Sequence, residues 1–455
     1  MKYNFCIIGN GAVGLMTAYE LCRSFPDKRI LLIGPKEQTG SASMAAGAMH
    51  AVFAEIEAHF YQSDGDQKQF DLAQTSKKCW EDFFNAFGSD GRTANDTLLY
   101  LKNTDNPFEV ANFEVATKVA EEFGILRTAS KIEVSENTAL TEYESAVVLQ
   151  NEFAFCPETI TRQITKFLDN NSNVTYLDDL ASHIDKNQVF TQQNGHIFSD
   201  QIIVCNGAAS NELVGKYGCV PVYQGVGTAI VVDSSTINFG NKFVVRTVNR
   251  GGAQCGVHVV PRANGTHYIG AGNYLSEFDN RTEHRLETVR YLTNVAEQDI
   301  LGIQNTYNMR GSLILGKRPR SFDGWPLFGR LKQNESVIVA SGWNRVGFTL
   351  SPLIAREIVC LITDSNSKNI TSWEPDRRPL SFGTEEDCAN FFAKSRCANL
   401  IEHKILTPNS KDYDTKFSEL YKLSQKYNKS ITTKLGLNKS FGIHPDLYGV
   451  LGQDD

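Results

Sequence analysis

Three glycines near the start of the chain have the spacing of a phosphate-binding turn. Gly9, Gly11 and Gly14 follow the apolar run 5–8 and precede a segment of helical character, 12–22. At this G-x-G-x-x-G spacing, the first glycine allows a tight turn, the second lets the backbone approach a pyrophosphate, and the third lets helix and strand pack closely. The free N–H groups and positive dipole of the helix N-terminus then face the anion. The pattern favours a dinucleotide site over an ordinary glycine-rich turn, but it does not identify the dinucleotide.

The end of the second predicted strand departs from the usual dinucleotide-binding pattern. An acidic residue is expected about 20 positions after the last glycine, where it binds a ribose hydroxyl. The run 29–33 has the apolar character of that strand, but Gly34 occupies the acidic position, followed by Lys36 and Glu37. Glu37 or backbone groups could bind the ribose, or Lys36 could bind a 2′-phosphate, which would favour NADP.

A second loop of small residues, 40–48, follows this strand. Small residues allow a flat ligand to approach closely. Ser41 and Ser43 can donate hydrogen bonds to phosphate or cap the next segment, 49–57, which we predict to be helical. The alternative is a flexible surface loop, and the residues of this loop alone do not favour either interpretation.

Two later strands also end in glycine turns. The apolar run 201–204 leads into Asn206 and Gly207, and the run 337–341 leads into Gly342 and a further helix. Ligands bind at such turns because the carboxyl ends of parallel strands meet at one edge of a sheet. The N-terminus of the second helix can stabilise negative charge there.

Between these turns the sequence changes to an alternating pattern. Segments 220–232 and 256–272 are rich in β-branched residues and predict an antiparallel sheet. His258 alternates with Val257 and Val259 and therefore faces away from them. A single histidine on a strand is more often structural than catalytic, so the strand pattern alone does not make His258 a site residue.

The last part of the chain predicts a helical extension. Beyond Trp373, apolar residues recur at helical spacing in two polar segments, and Thr384 with Asp387 has the pattern of a helix N-cap. We expect a surface appendage packed on the body, with a lid or a partner contact as the alternative.

Composition limits the classes of protein that need to be considered. A length of 455 residues predicts two domains, and 45 basic against 52 acidic residues give a net charge of −7, which argues against a nucleic-acid-binding surface. No apolar run approaches the roughly 20 residues of a membrane-spanning helix. The ten cysteines include no C-x-x-C pair, so we expect no metal site and no disulfide. With a strand beginning near the first residue, we expect a cytoplasmic protein.

Taken in order, these motifs resemble those of the FAD-dependent oxidoreductase family that contains D-amino-acid oxidase, glycine oxidase and sarcosine oxidase. The resemblance covers residues 1 to about 375 and favours FAD over NADP. It rests on the first glycine turn, on the loop Ser41 to Gly47, and on segments 155–157, 202–210, 259–271, 316–329 and 342–352.

The resemblance implies an α/β fold, with a Rossmann-like FAD-binding domain interleaved with an antiparallel-sheet substrate domain, plus a helical C-terminal tail. The implied FAD-binding domain comprises 1–55, 150–215 and 305–375, the substrate domain 56–149 and 216–304, and the extension 376–455. No cysteine stands where the sarcosine branch attaches its flavin, so we expect non-covalent FAD. The expected cofactor-binding residues are Gly9, Gly11, Ala12, Val13, Gly14, Lys36, Ser41, Ser43, Ala46, Gly47, Met49, Ala181, Asn206, Gly207, Gly342, Asn344, Arg345, Val346, Gly347, Phe348 and Thr349.

The resemblance also implies four substrate-site residues. Arg318 corresponds to the arginine that pairs with the substrate carboxylate, a task that suits a planar guanidinium. His258 falls where the family often has a pocket tyrosine or histidine, Arg345 lies in the turn beside the flavin, and Tyr223 is a further pocket candidate. Trp343 stands where relatives often have a smaller residue or a histidine, which reshapes the expected pocket.

The implied function is oxidation of the C–N bond of a small amine or amino acid. Hydride passes from the α carbon to flavin N5, the resulting imine hydrolyses, and oxygen or a quinone reoxidises the flavin. One alternative is a tailoring enzyme that modifies a larger amine, and another is a flavin-binding protein without turnover. The oligomeric state is open at this stage.

Overall fold

The computed structural model describes residues 2–38, 40–102, 104–140, 142–237, 239–240, 242–251, 256–279, 281–302, 307–364, 369–370 and 373–452. Within these residues the chain forms two eight-stranded sheets, one two-stranded sheet and eleven α-helices.

In chain order, the strands are β1 (Lys2–Ile8), β2 (Ile30–Ile33), β3 (Arg92–Ala94), β4 (Asp96–Leu101), β5 (Leu126–Thr128), β6 (Ser145–Leu149), β7 (Ala154–Phe155), β8 (Val174–Leu177), β9 (Ala181–Asp185), β10 (Gln188–Thr191), β11 (Gly195–Val204), β12 (Val222–Asp233), β13 (Phe243–Arg246), β14 (His258–Pro261), β15 (Thr266–Ser276), β16 (Gly311–Ser321), β17 (Leu327–Leu331) and β18 (Asn334–Ser341). The helices are α1 (Ala12–Ser24), α2 (Asp64–Phe87), α3 (Pro107–Glu122), α4 (Lys131–Asn137), α5 (Pro157–Asp169), α6 (Ser210–Val214), α7 (Leu286–Val295), α8 (Gly347–Thr363), α9 (Glu385–Glu402), α10 (Lys411–Lys434) and α11 (Tyr448–Leu451).

The first sheet contains the strand that precedes the glycine turn. Its main order is β17-β18-β11-β1-β2-β8, with β10 paired to β11 and β9 paired to β10. The strands β18, β11, β1, β2 and β8 run parallel, and Ile8 lies beside both Ile33 and Val204. The ends of β1, β2 and β11 therefore lie together, which is the edge where ligands bind in such sheets.

The second sheet has the order β16-β12-β15-β14-β13-β4-β6-β5. Its pairs are antiparallel except for β13 with β4, and β12 pairs with β16 from Val222 opposite Ser321 to Val232 opposite Gly311. The alternating segments of the sequence form β12, β14 and β15, so the predicted antiparallel sheet is confirmed.

The C-terminal extension is packed into the body. The structure confirms both predicted helices, α9 and α10, and Thr384 and Asp387 form a capping box at the start of α9. Apolar side chains of the extension share one buried cluster with residues of the first sheet and of β12; its extension members include Phe392, Ile431, Ile443, Leu447 and Tyr448. Burial of these side chains stabilises both partners.

Segment 49–57 is not helical, contrary to the sequence-based prediction. The N–H of His50 donates to the Phe153 carbonyl (2.7 Å), and the Met49 carbonyl accepts a hydrogen bond from the Thr349 hydroxyl (2.8 Å). Ala48 has φ of +49°. Because backbone groups at the start of the segment bond to distant parts of the chain, it follows an irregular path between the two sheets.

The described residues contain no disulfide, no cluster of metal-ligating side chains and no membrane-spanning helix. The nine described cysteines are free thiols, and Cys255 lies outside the described residues. No group of metal-ligating side chains that could hold an ion occurs in the described ranges. No helix in this part of the chain is long and apolar enough to cross a membrane.

Candidate functional site

The first glycine turn requires glycine at two positions. Gly9 has φ of +109°, and a Cβ there would lie 2.4 Å from the Cys205 carbonyl oxygen. A Cβ on Gly14 would lie 1.7 Å from the Gly9 carbonyl oxygen. Both distances are shorter than non-bonded atoms tolerate, so the turn, the end of β11 and helix α1 meet only without side chains.

The N-terminus of α1 is open to an anion. Ala12 and Val13 belong to the first turn of the helix, where N–H groups have no partner within the helix. The N–H of Ala12 donates to Ser43 Oγ (2.9 Å), which brings the second loop onto this turn. A Cβ on Gly11 would lie 3.0 Å from the same hydroxyl oxygen. Ser43 and the first turn of α1 are thus positioned to share one phosphate.

Beside this turn, Asn10 occupies the space above Gly34. A Cβ on Gly34 would lie 2.4 Å from Asn10 Cγ. Asn10 Nδ2 donates to the Pro35 carbonyl (2.8 Å) and to the Tyr176 hydroxyl (2.9 Å), and that hydroxyl donates to the Gly34 carbonyl (2.8 Å). At the strand end where an acidic residue was expected, the structure therefore has a hydrogen-bond network between the Asn10 amide and the Tyr176 hydroxyl.

Two of the expected cofactor residues, Lys36 and Ala181, take no part in this network. The Lys36 ammonium is exposed and lies 3.9 Å from Asp178, whose carboxylate also accepts the Lys36 N–H (2.9 Å). Ala181 begins β9, where it pairs with Thr191.

The small-residue loop packs against the second sheet. Arg262 Nη2 donates to the Ala46 carbonyl (2.8 Å), and Ser41 forms a parallel bridge with Lys317 of β16. A Cβ on Gly47 would lie 3.0 Å from His258 Nε2. The loop therefore joins the first glycine turn to the sheet that carries the substrate-site candidates.

The turns after β11 and β18 are joined by hydroxyl groups. Ser341 Oγ donates to the Gly207 carbonyl (2.9 Å), and Ser210 Oγ lies within hydrogen-bond distance of both Ser341 Oγ (2.7 Å) and Asn206 Oδ1 (3.0 Å). Gly342 follows with φ of +75°. The two later glycine turns thus lie side by side at the edge of the first sheet.

The start of α8 is held between the two sheets. Asn344 (φ of +44°) donates its N–H to the Pro319 carbonyl (2.8 Å), and Trp80 Nε1 donates to the Thr349 carbonyl (2.8 Å). The Thr349 hydroxyl bonds to Met49 at the end of the small-residue loop. This stretch contains the expected residues Gly342, Asn344, Arg345, Val346, Gly347, Phe348 and Thr349.

Glu55, an acidic side chain that the sequence did not indicate, pairs with two arginines, Arg246 and Arg345. We call these three residues the polar centre. Glu55 Oε1 lies 2.8 Å from Arg246 Nη2, and Glu55 Oε2 lies 3.2 Å from Arg345 Nη1. Arg345 Nη2 also lies 3.8 Å from Glu57. Burial alone would raise the pKa of Glu55, but Arg246 and Arg345 together lower it below its ordinary value. Glu55 is therefore ionised at neutral pH.

His258 and Arg318 lie beside this centre. Burial, together with the positive charges of Arg246 and Arg318, lowers the pKa of His258 to about 3. The ring stacks on Tyr268 at 5.6 Å between centroids, and Nδ1 lies 3.3 Å from the Gly256 carbonyl. His258 is therefore neutral at physiological pH, and donation from Nδ1 to that carbonyl leaves Nε2 as an acceptor.

The sheet face around Arg318 has few side chains. Gly225 lies opposite Arg318 on β12, and a Cβ on Gly227 would lie 3.6 Å from Arg318 Nη2. Tyr223, the fourth substrate-site candidate, lies opposite Arg320 on the same pair of strands. Two glycines beside a guanidinium leave room for a ligand against this face.

A cavity of about 1350 Å³ lies between the body and the C-terminal extension. Its body side includes Glu55, Arg345 and Arg320, and its extension side includes Phe391 and His444. Five of the expected site residues line this cavity; they are Gly342, Asn344, Arg345, Val346 and Thr349.

Residues 4–361 match the family described as FAD dependent oxidoreductase. The chain belongs to this family. No curated protein matches it. Among solved structures, glycine oxidase from Geobacillus kaustophilus is similar, with a TM-score of 0.70, 17% identity, and coverage of 83% of this chain and 99% of that one.

Two further oxidoreductase structures share the fold. L-proline dehydrogenase from P. horikoshii has a TM-score of 0.66 and 17% identity, covering 83% of this chain and 97% of its own. Iminodiacetate oxidase from Chelativorans sp. BNC1 has a TM-score of 0.66 and 16% identity, covering 82% and 99%. Residues 362–455, which include the extension, lie outside the family match.

The residues of this FAD-dependent oxidoreductase fit the cofactor. The Gly9 turn and the first turn of α1 can hold its pyrophosphate, and Ser43 can add a donor. Asn10 and Tyr176 would lie at its adenosine end, and the glycine face of β12 has room for a planar ring. Sequence reasoning missed Asn10, Tyr176, Glu55 and Arg246. An arginine that ends the apolar strand Phe243–Arg246 was a readable signal for the last of these.

Proposed function

We propose that this FAD-dependent oxidoreductase oxidises the C–N bond of an amine or amino acid. One observation carries the proposal: three separate segments bring His258 close to both Arg318 and Glu55, and Glu55 is in turn paired with Arg345. A guanidinium next to a neutral imidazole suits a substrate that carries a carboxylate and an amine.

Arg318 positions the substrate in this proposal. Its planar guanidinium can form two parallel hydrogen bonds with a carboxylate, which fixes the orientation of the α carbon. Positioning of this kind supplies much of the rate enhancement when the reaction needs no protein nucleophile. Arg345 adds positive charge, although Glu55 and Glu57 compete for it.

His258 favours the neutral form of the substrate amine. The uncharged ring can accept an N–H hydrogen bond through Nε2 without creating a buried ion pair. Bound FAD supplies the acceptor for the hydride that leaves the α carbon, and water then hydrolyses the imine. The N-terminus of α8, whose Val346 lines the cavity, favours negative charge nearby.

The cavity also supports the second candidate, a larger amine substrate. Ligand pockets usually enclose about 300–1000 Å³, and this cavity of about 1350 Å³ exceeds that range. A small amino acid would leave most of the chamber unfilled. Membership of an oxidoreductase family favours either enzyme over a flavin-binding protein without turnover.

The test is anaerobic titration of the purified holoenzyme with amines and amino acids, followed by flavin absorbance. Denaturation should release the flavin, as non-covalent binding requires. Arg318→Ala should raise the Michaelis constant for a carboxylated substrate about 10- to 100-fold. The control substrate is the matching amine that lacks the carboxylate, and the Michaelis constant for this amine should change little. An unchanged Michaelis constant for the carboxylated substrate would remove Arg318 from this role.

A further inference from the structure

A second arginine of β16, Arg320, faces the chamber, and its side chain has no bonded partner among the residues that the structure describes. Arg320 is 8% exposed and lines the cavity. Across the described ranges, no acceptor bonds to its guanidinium and no carboxylate oxygen lies within 4.0 Å of it. A charge buried in this way is costly unless a ligand pairs with it.

The surrounding backbone is shaped around this side chain. Gly324 has φ of +86°, and a Cβ there would lie 2.4 Å from Arg320 Nη1. Arg320 pairs with Tyr223 on β12 and bridges to Trp343 on its other side. The absence of a side chain at Gly324 therefore leaves the space that the Arg320 guanidinium occupies in the chamber wall.

Acidic residues act on Arg320 only from a distance, and two of the three have closer cations of their own. Asp323 lies 2.8 Å from Arg377 Nη2, and Asp66 lies 2.9 Å from His59 Nε2. Asp446 of the extension acts on Arg320 from beyond ion-pair distance. It lies 3.6 Å from His444, but burial lowers the pKa of that ring to about 3, so His444 is neutral at physiological pH. In the alternative to ligand binding, these acids balance the positive charge of Arg320 at long range.

The position of Arg320 relates it to the proposed substrate site. Arg318 and Arg320 are two residues apart in an unbroken strand register, so they project from the same face about 7 Å apart. The cavity at Arg320 also reaches Leu275 of β15, which lies opposite Gly225 on the same sheet. The cavity lining therefore includes a residue in line with Gly225 and Arg318.

We propose that Arg320 binds a second anionic group, a carboxylate or a phosphate, at the end of the substrate remote from the C–N bond. This inference rests on the proposed function and narrows its substrate class to amines with two anionic ends. Trp325 and Trp373, whose rings stack at 6.2 Å, and Phe391 of the extension line the chamber and provide an apolar wall for the carbon chain between those ends.

The first experiment measures binding without turnover. Glutarate, butyrate and 3-phosphonopropionate are titrated into the holoenzyme while the flavin absorbance is followed. Glutarate or the phosphonate should bind about 10- to 100-fold more tightly than butyrate, and Arg320→Gln should remove that preference. Which of the two binds better distinguishes a carboxylate end from a phosphate end. Arg396→Gln, an exposed arginine of α9 outside the cavity, is the matched control and should keep the preference.

The second experiment measures turnover with glutamate and glutamine as a charged and neutral pair. The proposal is supported if Arg320→Gln loses turnover (kcat/KM) only with the charged substrate, and if Arg320→Lys partly restores that turnover. Equal binding of all probes by the wild type, or equal loss for both members of each pair, overturns it. If no amine reduces the flavin but the glutarate preference depends on Arg320, the proposed function fails while this binding site stands.

Discussion

Replacing Glu55 by glutamine should destabilise the protein by about 3 kcal/mol. At 2.8 Å and an effective dielectric constant of about 20, two unit charges attract by about 6 kcal/mol, and desolvation offsets part of this. Breaking a buried pair usually costs about 3–5 kcal/mol, because the remaining charge stays buried. The Arg246 side chain is 0% exposed but that of Glu55 is 25% exposed, which favours the lower end.

The assay is urea unfolding of the FAD-saturated protein near neutral pH, followed by tryptophan fluorescence. Asp82→Asn is the matched control, because Asp82 also lies 2.8 Å from an arginine but is 59% exposed. Exposed pairs contribute about 0–1 kcal/mol. If Glu55→Gln costs no more than Asp82→Asn, the assignment of Glu55 as the buried counter-charge is refuted.

The pH dependence gives an independent check on Glu55. Its pKa lies below the ordinary value of 4.5, so its ionised form stabilises the fold above that value. The advantage of the wild type over Glu55→Gln should therefore shrink as the pH falls below 4.5 and through the folded-state pKa. A difference that stays constant over this range would contradict the electrostatic explanation.

Two further predictions concern buried groups. Burial raises the pKa of Glu152 to about 7, so its carboxyl group is favoured in the protonated form in the folded state. Between about pH 4.5 and pH 7, the free energy of unfolding of the wild type should therefore fall by about 3 kcal/mol relative to that of Glu152→Gln, as measured by urea unfolding. A difference that does not depend on pH would contradict this. Gly34→Ala should displace the Asn10 side chain and weaken FAD binding about tenfold, measured by flavin fluorescence on dilution. Unchanged FAD affinity would show that the Asn10–Tyr176 network does not serve the adenosine end.

Local patterns predicted much of the fold. The Gly9 turn depends on neighbours within a few residues, and the alternation in β12 corresponds to a strand face whose residues are all buried. The helices α9 and α10 were also readable from apolar spacing and from the Thr384 cap. In each case the determining contacts lie within one element or between adjacent ones.

The polar centre was not predictable in the same way. The path of segment 49–57 is set by hydrogen bonds to Phe153 and Thr349, which are distant in sequence, and this path is what brings Glu55 to Arg246. Helical propensity in that segment was overridden by these contacts. A sequence motif records Arg318 and Arg345, but it does not record Glu55, the carboxylate paired with Arg345.

The extension forms one wall of the chamber and yet lies outside the matched family region. Under the proposed function, changes along this wall would alter which substrates enter while Glu55 and its arginines stay unchanged. Substrate selectivity and the redox site could then be inherited and engineered separately. The cluster that anchors the extension limits this freedom, because substitutions at Phe392 or Tyr448 also affect folding. Engineering of the chamber is best confined to residues that face it, such as Phe391.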